Sequence, residues 1–282
     1  MEKQLVSLCV LARNEEKSIN KAITSLERQI LPEGYESELI VVVSGSTDRT
    51  AKIVRELQKN YSNIKLFEPK EVGKAHAWNI AKDAAKSDTL IFSDGDVVTK
   101  RDAVKEILAE FKRNPKMELL SAKIVPLTGK KLLSKAVALR YKSQFTVSGD
   151  FYGVKRGAIK SILIPKHIIL DDWYVAFKVG LEKTGICSKS IVFVKIPTNF
   201  KEALEQRARI SAGFRQLKKE LEIKRIPGNF KRLIETYNSL TPKERIREFP
   251  IWVLLRLLGR AKASIDPRQK KLPWKPIRSS KI

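Results

Sequence analysis

The sequence contains few of the residues on which disulfides and zinc sites depend. Its 282 residues include two cysteines and two histidines. Cys9 and Cys187 are far apart, and Cys9 lies within an apolar run, so we expect both to be reduced core residues. His76 and His167 are too few and too widely separated to indicate a zinc site. These shortages argue against a disulfide-stabilised scaffold and against a structural zinc protein.

Long apolar runs and several common catalytic motifs are also missing. No run reaches the ~18 residues needed to span a bilayer, and the N-terminus lacks the features of a signal peptide, so we expect a cytoplasmic protein. The sequence has no G-x-S-x-G elbow, no G-x-x-x-x-G-K-[ST] loop and no G-x-G-x-x-G fingerprint. Hydrolase, phosphate-loop and dinucleotide-binding classes therefore have no support.

Acidic residues are scarce relative to basic ones. The chain has 31 Asp and Glu against 56 Lys and Arg, a formal net charge of +25, and the basic excess grows past Asn199. Such a surface attracts phosphate, whether in nucleic acid, in an anionic membrane leaflet or in a lipid-linked acceptor. A basic nucleic-acid-binding module is an alternative that rests on charge alone. Because aromatic content is only 7% and no base-reading motif occurs, we expect no specific nucleic-acid partner.

What the sequence does contain is an alternation of β-rich runs and amphipathic helical stretches, typical of an α/β fold with a mainly parallel sheet. Strands are predicted at 5–12, 39–43, 64–67, 89–93, 119–125 and 151–154. Helices are predicted at 15–29, 50–60, 74–85, 102–113, 131–145 and 171–183. From Lys201 onward the chain is predicted to be helical, basic and interrupted by prolines. We therefore expect an α/β domain at 1–205 and a basic helical C-terminal region at 206–282.

Two carboxylates flank a glycine directly after the fourth predicted strand, in Asp94-Gly95-Asp96. Glycine allows close approach to the backbone, and paired carboxylates suit a divalent ion held on a diphosphate. An isolated Asp-Gly is more often a simple turn. Here it ends an apolar strand at the mouth of an α/β sheet, and that position favours a metal site.

The order of the motifs resembles family 2 of the glycosyltransferases, inverting enzymes of the GT-A fold. Segments 6–16 and 45–50 are similar to the nucleotide-contacting loops of that family, and Gly73-Lys74 with Asn79 to the helix before its metal site. Further matches are Asp94-Gly95-Asp96 to its D-x-D motif, 149–153 to its acceptor-side glycine segment, and Asp171-Asp172 to its acidic pair opening a helix. The resemblance spans roughly residues 5–215. It implies a GT-A nucleotide-diphospho-sugar transferase fold for the catalytic domain at 1–205.

The resemblance also implies roles for individual residues. Asp96, together with Asp94, would hold Mn²⁺ or Mg²⁺ on the diphosphate of a nucleotide-sugar donor, and Asp172 would be the general base that takes the proton of the acceptor hydroxyl. Gly149, Asp150 and Asp171 would lie on the acceptor side. The implied donor-binding residues are Ala12, Arg13, Asn14, Glu15, Ser44, Lys74, Asp94, Gly95, Gln206 and Arg209.

Three segments have another explanation or depart from the family pattern. Carboxylates such as Asp171-Asp172 are favoured at any helix N-terminus. The segment 206–209 resembles the Q-x-x-R part of a family motif, but Ile210 stands where many members have Trp, and a solvated basic helix is the alternative. Val43 and Ser44 stand where many members have an Asp that reads the donor base. The choice between a uridine and a guanosine donor therefore stays open.

The stretch 249–263 is apolar with intruding arginines. It suits a helix lying at an anionic membrane interface, and it equally suits a helix that packs back on the catalytic domain through Ile251, Leu254, Leu255 and Leu258. On the first interpretation the enzyme is peripheral on the cytoplasmic face of the membrane.

The function expected from the sequence is metal-dependent, inverting sugar transfer to a hydroxyl of a glycan or a lipid-linked acceptor. A nucleotidyltransferase of similar fold is the alternative within the enzymes. It explains Asp172 and the segment 206–209 poorly, because neither has a counterpart in that chemistry.

Overall fold

The computed structural model describes residues 3–142, 147–223 and 229–265. Within those ranges eight strands form one mixed sheet, flanked by eleven α-helices and a 3₁₀ turn at Leu181–Lys183. The strands are β1 (Gln4–Ala12), β2 (Tyr35–Val43), β3 (Ile64–Phe67), β4 (Thr89–Asp94), β5 (Val98–Thr99), β6 (Leu119–Leu127), β7 (Phe151–Lys155) and β8 (Thr184–Lys195). The helices are α1 (Ile19–Glu27), α2 (Thr50–Gln58), α3 (Lys74–Ala84), α4 (Ala103–Arg113), α5 (Leu132–Lys142), α6 (Arg156–Ile159), α7 (Asp171–Val179), α8 (Phe200–Glu220), α9 (Asn229–Asn238), α10 (Pro242–Arg247) and α11 (Phe249–Ile265).

The strand order is β3-β2-β1-β4-β7-β6-β8-β5. The first four strands are parallel, as predicted. Beyond them the sheet is mixed, because β7 runs antiparallel to both β4 and β6, and β5 runs antiparallel to β8. The α/β fold with flanking helices is thus confirmed, and the parallel character is confined to strands β1–β4 and the β6–β8 pair.

The core consists of two apolar layers, one on each face of the sheet. Alternate residues of β1 supply both layers, since successive side chains of a strand point to opposite faces. Val6, Leu8 and Val10 pack with α1, α2 and α4, and Cys9 and Leu11 pack with α3 and α7. Burial on both faces explains why β1 is a continuous apolar run. Cys9 and Cys187 are both buried and reduced, as expected.

A stack of three aromatic rings ties α3 to the sheet. The Phe92 ring lies between Trp78 and Tyr152, with ring centroids 5.1 and 5.3 Å apart. The indole N–H of Trp78 also donates to the Tyr152 hydroxyl at 2.7 Å. The stack fixes α3 against β4 and β7, which places Lys74, the first residue of α3, beside the end of β4.

Most predicted elements lie within a few residues of the observed ones, but β5, β8 and α6 were missed. One helix over 171–183 was also predicted wrongly: α7 ends at Val179, because Gly180 adopts a φ of 102° that stops the helix. The predicted helix over 131–145 corresponds to α5, and its last residues lie outside the described ones. The division at 205/206 falls within α8 and stays a prediction.

The C-terminal helices pack back on the α/β domain. On α11, the buried residues Trp252, Leu255, Gly259 and Ala263 recur at helical spacing on one face, and small side chains let this face approach α8 closely. The packing interpretation is therefore confirmed for Leu255, while Leu254 and Leu258 are exposed. In the part of the chain described, no helix is both long and apolar enough to cross a membrane.

Gly259 provides a test of this packing. A Cβ at this position would lie 2.6 Å from the Cβ of Arg207 and 3.0 Å from its backbone carbon, so α8 or α11 must move. We expect Gly259→Ala to destabilise the protein by about 1–3 kcal/mol. Urea unfolding measures the change. The control is Gly157→Ala, a helical position with nothing within 4 Å, where the change should be neutral or stabilising; equal effects would contradict the packing.

Candidate active site

The candidate site lies at the sheet edge where β1, β2 and β4 end. Asp94 ends β4, and the Gly95 N–H donates to the Leu11 carbonyl of β1 at 2.9 Å. Because β7 runs antiparallel, the segment preceding it reaches the same edge, where the Asp94 N–H donates to the Asp150 carbonyl at 3.0 Å. The sheet thus brings residues 94–96 and 149–150 together; their roles in binding donor and acceptor stay predictions.

Gly95 is required by close approach rather than by an unusual φ. A Cβ there would lie 2.8 Å from the Cβ of Ala12, so a side chain would push the D-x-D segment away from β1. Ala12 therefore forms the wall against which Asp94 and Asp96 are positioned.

Lys74 is the centre of the site. Its Nζ lies 2.7 Å from Oδ1 and 3.1 Å from Oδ2 of Asp94, and 3.7 Å from Oδ2 of Asp171. It also donates to the Gly149 carbonyl at 3.5 Å. Only 10% of the Lys74 side chain is exposed, so this ion pairing is shielded from water. One ammonium group thereby connects the D-x-D motif, the segment before β7 and the start of α7.

The electrostatics of the site are dominated by excess negative charge. Burial alone would lower the pKa of Lys74, but Asp171, Asp94 and Asp172 raise it well above its usual value, so the ammonium stays charged. Burial raises the pKa of Asp94, and the charges of Asp96 and Asp150 add to this effect while Lys74 opposes it. The pKa of Asp94 rises despite the ion pair chiefly because the carboxyl is buried. This acidic centre lies in a chain whose net charge is +25.

Asp172 has the features of a base. It lies in the first turn of α7, where its Oδ2 accepts a hydrogen bond from the Gly149 N–H at 2.8 Å. A Cβ on Gly149 would lie 3.0 Å from the Cβ of Asp172 and 3.1 Å from its Oδ2, so any larger residue would require Asp172 to shift. Burial and the Asp171 charge raise the pKa of Asp172 to about 6, against the opposing effects of Lys74 and two backbone N–H groups. This carboxyl can therefore take up and release a proton near neutral pH.

The donor-side loops are held to each other by side chains. Asn14 adopts a φ of 53°, and its Oδ1 accepts a hydrogen bond from the Thr47 N–H at 2.7 Å. The Glu15 N–H donates to the Thr50 hydroxyl at 2.7 Å, and Arg13 Nε donates to the Gly45 carbonyl at 3.4 Å. The predicted donor residues of this loop thus join segments 13–16 and 45–50 into one wall.

Ser44 faces the protein interior. Its hydroxyl donates to the Glu71 carbonyl at 2.6 Å and accepts from the Gly73 N–H at 3.2 Å, and its side chain is fully buried. The residue therefore positions the turn before α3. Its assignment as a donor contact stays a prediction, and its hydroxyl is already committed to the backbone.

Gln206 and Arg209 are half-buried on α8. The neighbouring Arg207 is linked electrostatically to the acidic centre, because both act on the hydroxyl of Tyr141 in α5. Burial raises the pKa of Tyr141 to about 12; Arg140 and Arg207 lower it, and Asp150 and Asp96 raise it. None of Tyr141, Arg140 and Arg207 was predicted from the sequence as a site residue. The sequence offered one signal for them. Arg140 directly precedes Tyr141 on one predicted helix, and Arg207 lies within the Q-x-x-R segment on another.

The fit of a divalent cation depends on the carboxylates. In the described ranges, no three Asp, Glu, His or Cys side chains form a ligand cluster. Asp94 Oδ1 is buried without a hydrogen bond of good geometry, although Lys74 lies beside it. Mg²⁺ and similar ions commonly take one or two carboxylates and complete their shell with substrate phosphates and water. The residues therefore fit a cation held by Asp96 with a diphosphate, with Asp94 ion-paired to Lys74 beside it.

Comparison with known proteins indicates which class of enzyme this chain resembles. Residues 7–130 match the family model described as glycosyl transferase family 2. Poly-beta-1,6-N-acetyl-D-glucosamine synthase of Staphylococcus epidermidis is 24% identical over 225 residues, which cover 74% of this chain and 54% of that protein. 4,4'-Diaponeurosporenoate glycosyltransferase of Staphylococcus haemolyticus is 33% identical over 121 residues, covering 42% of this chain and 31% of that protein. The chain thus spans about half the length of the first of these relatives.

Solved structures share the fold. Mannosyltransferase PcManGT from Pyrobaculum calidifontis, in complex with GDP-Man and Mn²⁺, gives a TM-score of 0.62 at 22% identity, over 93% of this chain and 75% of that one. S. aureus TarS in complex with UDP-GlcNAc gives a TM-score of 0.56 at 19% identity, over 94% and 82%. At such identities the likeness shows the fold alone.

The mixed sheet and the D-x-D edge define a GT-A fold, the fold of these glycosyltransferase structures. Residues 7–130, less than half of the chain, are similar to glycosyltransferase family 2. This similarity favours sugar transfer over nucleotidyl transfer or nucleic-acid binding.

Lys74→Met tests the central ion pair. Removing the ammonium leaves Asp94 and Asp171 buried and uncompensated, so we expect a loss of about 3–5 kcal/mol in unfolding free energy near neutral pH. The loss should shrink at about pH 5, because the stranded carboxyls then take up protons. Urea unfolding at both pH values measures this. Lys142→Met, which removes a more exposed partner of Glu244, should cost at most about 1 kcal/mol; equal losses would contradict the central role of Lys74.

Proposed function

We propose that the protein is a metal-dependent, inverting glycosyltransferase that moves a sugar from a nucleotide-diphosphate donor to an acceptor hydroxyl. The observation that carries the proposal is the acidic centre around Lys74, at the end of β4 in a GT-A fold. It combines a candidate base with carboxylates placed where the fold positions a diphosphate.

The donor side is proposed to consist of the wall formed by residues 12–15 and 45–50, together with Asp94, Gly95 and Lys74. Asp96 would hold Mn²⁺ or Mg²⁺, with Asp94 beside it. A bound divalent ion offsets the negative charge that develops on the leaving nucleotide. Lys74 orients Asp94, because its ammonium lies 2.7 and 3.1 Å from the two carboxylate oxygens.

The acceptor side is proposed to centre on Asp172. The Gly149 N–H orients its carboxylate through Oδ2, which leaves lone pairs for an acceptor hydroxyl. Asp172 takes the hydroxyl proton as that oxygen forms a bond to the anomeric carbon and the nucleotide leaves from the opposite face. One displacement of this kind inverts configuration. Asp150 and Asp171 line the same side, and Gln206 and Arg209 would approach the phosphate from α8.

The acceptor is proposed to be a glycan or a lipid-linked sugar. The name of the relative from S. epidermidis describes synthesis of a glycan, which supports the first class. The basic C-terminal helices that pack beside the site support the second. The donor base stays open between uridine and guanosine, since the relatives of known structure were solved with either.

Donor binding tests the proposal first. Titration of UDP- and GDP-sugars into the protein should show binding of one donor that depends on Mn²⁺. Asp96→Ala should abolish the Mn²⁺-dependent part, because the carboxylate that anchors the ion is removed. Asp88→Ala, at an exposed position, is the matched control and should bind normally. Absence of binding by every donor, with or without Mn²⁺, would reject the proposed function.

Turnover tests the base. Asp172→Asn should keep donor affinity within about twofold and lower kcat by at least about 10²-fold, because the amide cannot accept the proton. Asp83→Asn, at an exposed position, serves as control.

The pH profile provides an independent check. With the pKa of Asp172 raised to about 6, the base is protonated and inactive below that value, so kcat/KM should rise with pH to a plateau above it. Normal turnover by Asp172→Asn, or a rate that is flat from about pH 5 to 8, would refute the assignment.

A further inference from the structure

α11 has a second apolar face that points away from α8. Leu254, Leu257 and Leu258 are 49%, 56% and 38% exposed, and Ile265 is 79% exposed. At about 100° per residue these positions lie opposite the buried face that begins at Trp252. One helix therefore packs on the protein through one side and presents a row of large aliphatic side chains on the other.

Exposed cations lie on the same two helices, α10 and α11. Ile246 of α10 is 77% exposed, and Lys243, Arg247 and Arg260 are exposed as well. The two acidic residues in 242–265 do not balance them at the surface. Glu244 is half-buried and ion-paired with Lys142 at 2.7 Å, and Glu248 is 5% exposed. We call this surface, formed by Ile246, Leu254, Leu257, Leu258 and Ile265 with its cations, the outer face.

We propose that the outer face docks on the surface of an anionic lipid bilayer. Aliphatic side chains of a surface helix enter the boundary between headgroups and acyl chains, while the flanking lysines and arginines remain at the anionic headgroups. The outer face offers both groups on adjoining helices.

Charge argues against the other occupants of this face. A second copy of the chain would bring together two molecules of net charge +25. The segment 266–282 contains six Lys or Arg against one Asp, so docking it here would also place like charges together. An anionic bilayer is the partner whose charge complements the cations and whose interior accepts the leucines.

The position of the outer face also bears on how an acceptor would reach the site, and this step rests on the proposed function. The inner face of α11 contacts α8 at Arg207, where Gly259 allows close approach. The charge of Arg207 lowers the pKa of Tyr141, and the charges of Asp96 and Asp150 raise it, so Tyr141 lies between Arg207 and the acidic centre. A helix is roughly 10 Å across, so the docked bilayer would lie about one helix from this side of the site. A lipid-linked acceptor could then reach the site without leaving the bilayer.

Vesicle flotation of the full chain tests the docking without using activity. We expect flotation with phosphatidylcholine vesicles that contain phosphatidylglycerol, little flotation with phosphatidylcholine alone, and weaker binding as salt rises. The double variant Leu254→Ser and Leu257→Ser should lower the partition coefficient by about tenfold or more, since two exposed anchors are lost. Its matched control is Ile30→Ser with Leu163→Ser, two exposed aliphatic residues on other segments, which should float like the parent.

Unchanged flotation of the Leu254/Leu257 variant, or equal binding to neutral and anionic vesicles, would overturn the proposal. So would a dimer in sedimentation velocity that dissociates in this variant, because the outer face would then belong to a second copy. Metal-dependent donor binding by calorimetry should be the same in parent and variant. A failure of docking is therefore distinguishable from a failure of the proposed function.

A nitroxide label provides a second measurement. Cys9 and Cys187 are both buried, so a label can be directed to Leu257→Cys or to Leu163→Cys. On anionic vesicles the label at 257 should become more accessible to oxygen and less accessible to a water-soluble nickel chelate, while the label at 163 stays unchanged. Equal accessibility at both positions would overturn the proposal.

Discussion

The placement of one buried ammonium group governs the chemistry of this site. Lys74 contacts Asp94 and approaches Asp171 and the Gly149 carbonyl, so it connects three segments that are distant in the sequence. A buried charge is tolerated only when it is paired, and buried carboxylates likewise need a partner. The aromatic stack of Trp78, Phe92 and Tyr152 holds α3 where this pairing can occur. The packing of the core and the electrostatics of the site therefore depend on each other.

Lys74 does not neutralise the site, and that imbalance explains its chemistry. Burial is the largest cause that raises the pKa of Asp94 despite its ion pair and the pKa of Asp172 to about 6, and the charges of neighbouring carboxylates add to both effects. The first effect favours a bound divalent ion. The second gives the proposed base a proton affinity suited to work near neutral pH. A single arrangement of charge would thus serve both the proposed donor binding and the proposed proton transfer.

The antiparallel strand β7 decides which residues meet. In a wholly parallel sheet, only residues that follow a strand lie at the edge where ligands bind. β7 is reversed, so the segment that precedes it, Gly149-Asp150, reaches the same edge and hydrogen-bonds with Asp94 and Asp172. The groups proposed to bind donor and acceptor become neighbours because of this reversal. On the other side, small residues on α8 and α11 bring the C-terminal helices against the domain.

The sequence by itself determined the α/β class, most element positions and the group of motif residues, because strands buried on both faces are continuous apolar runs and the polar motifs follow them directly. It could not determine the reversal of β7, since hydrophobic pattern carries no strand direction. Nor could it find the short edge strand β5. It could not show that Ser44 turns inward, that Lys74 bridges the carboxylates, or that Tyr141, Arg140 and Arg207 adjoin them. Leu254, Leu255 and Leu258 have the same side chain, and only the packing of α11 on α8 decided which of them is buried. Long-range contacts fix such features, and they exist only once the chain has folded.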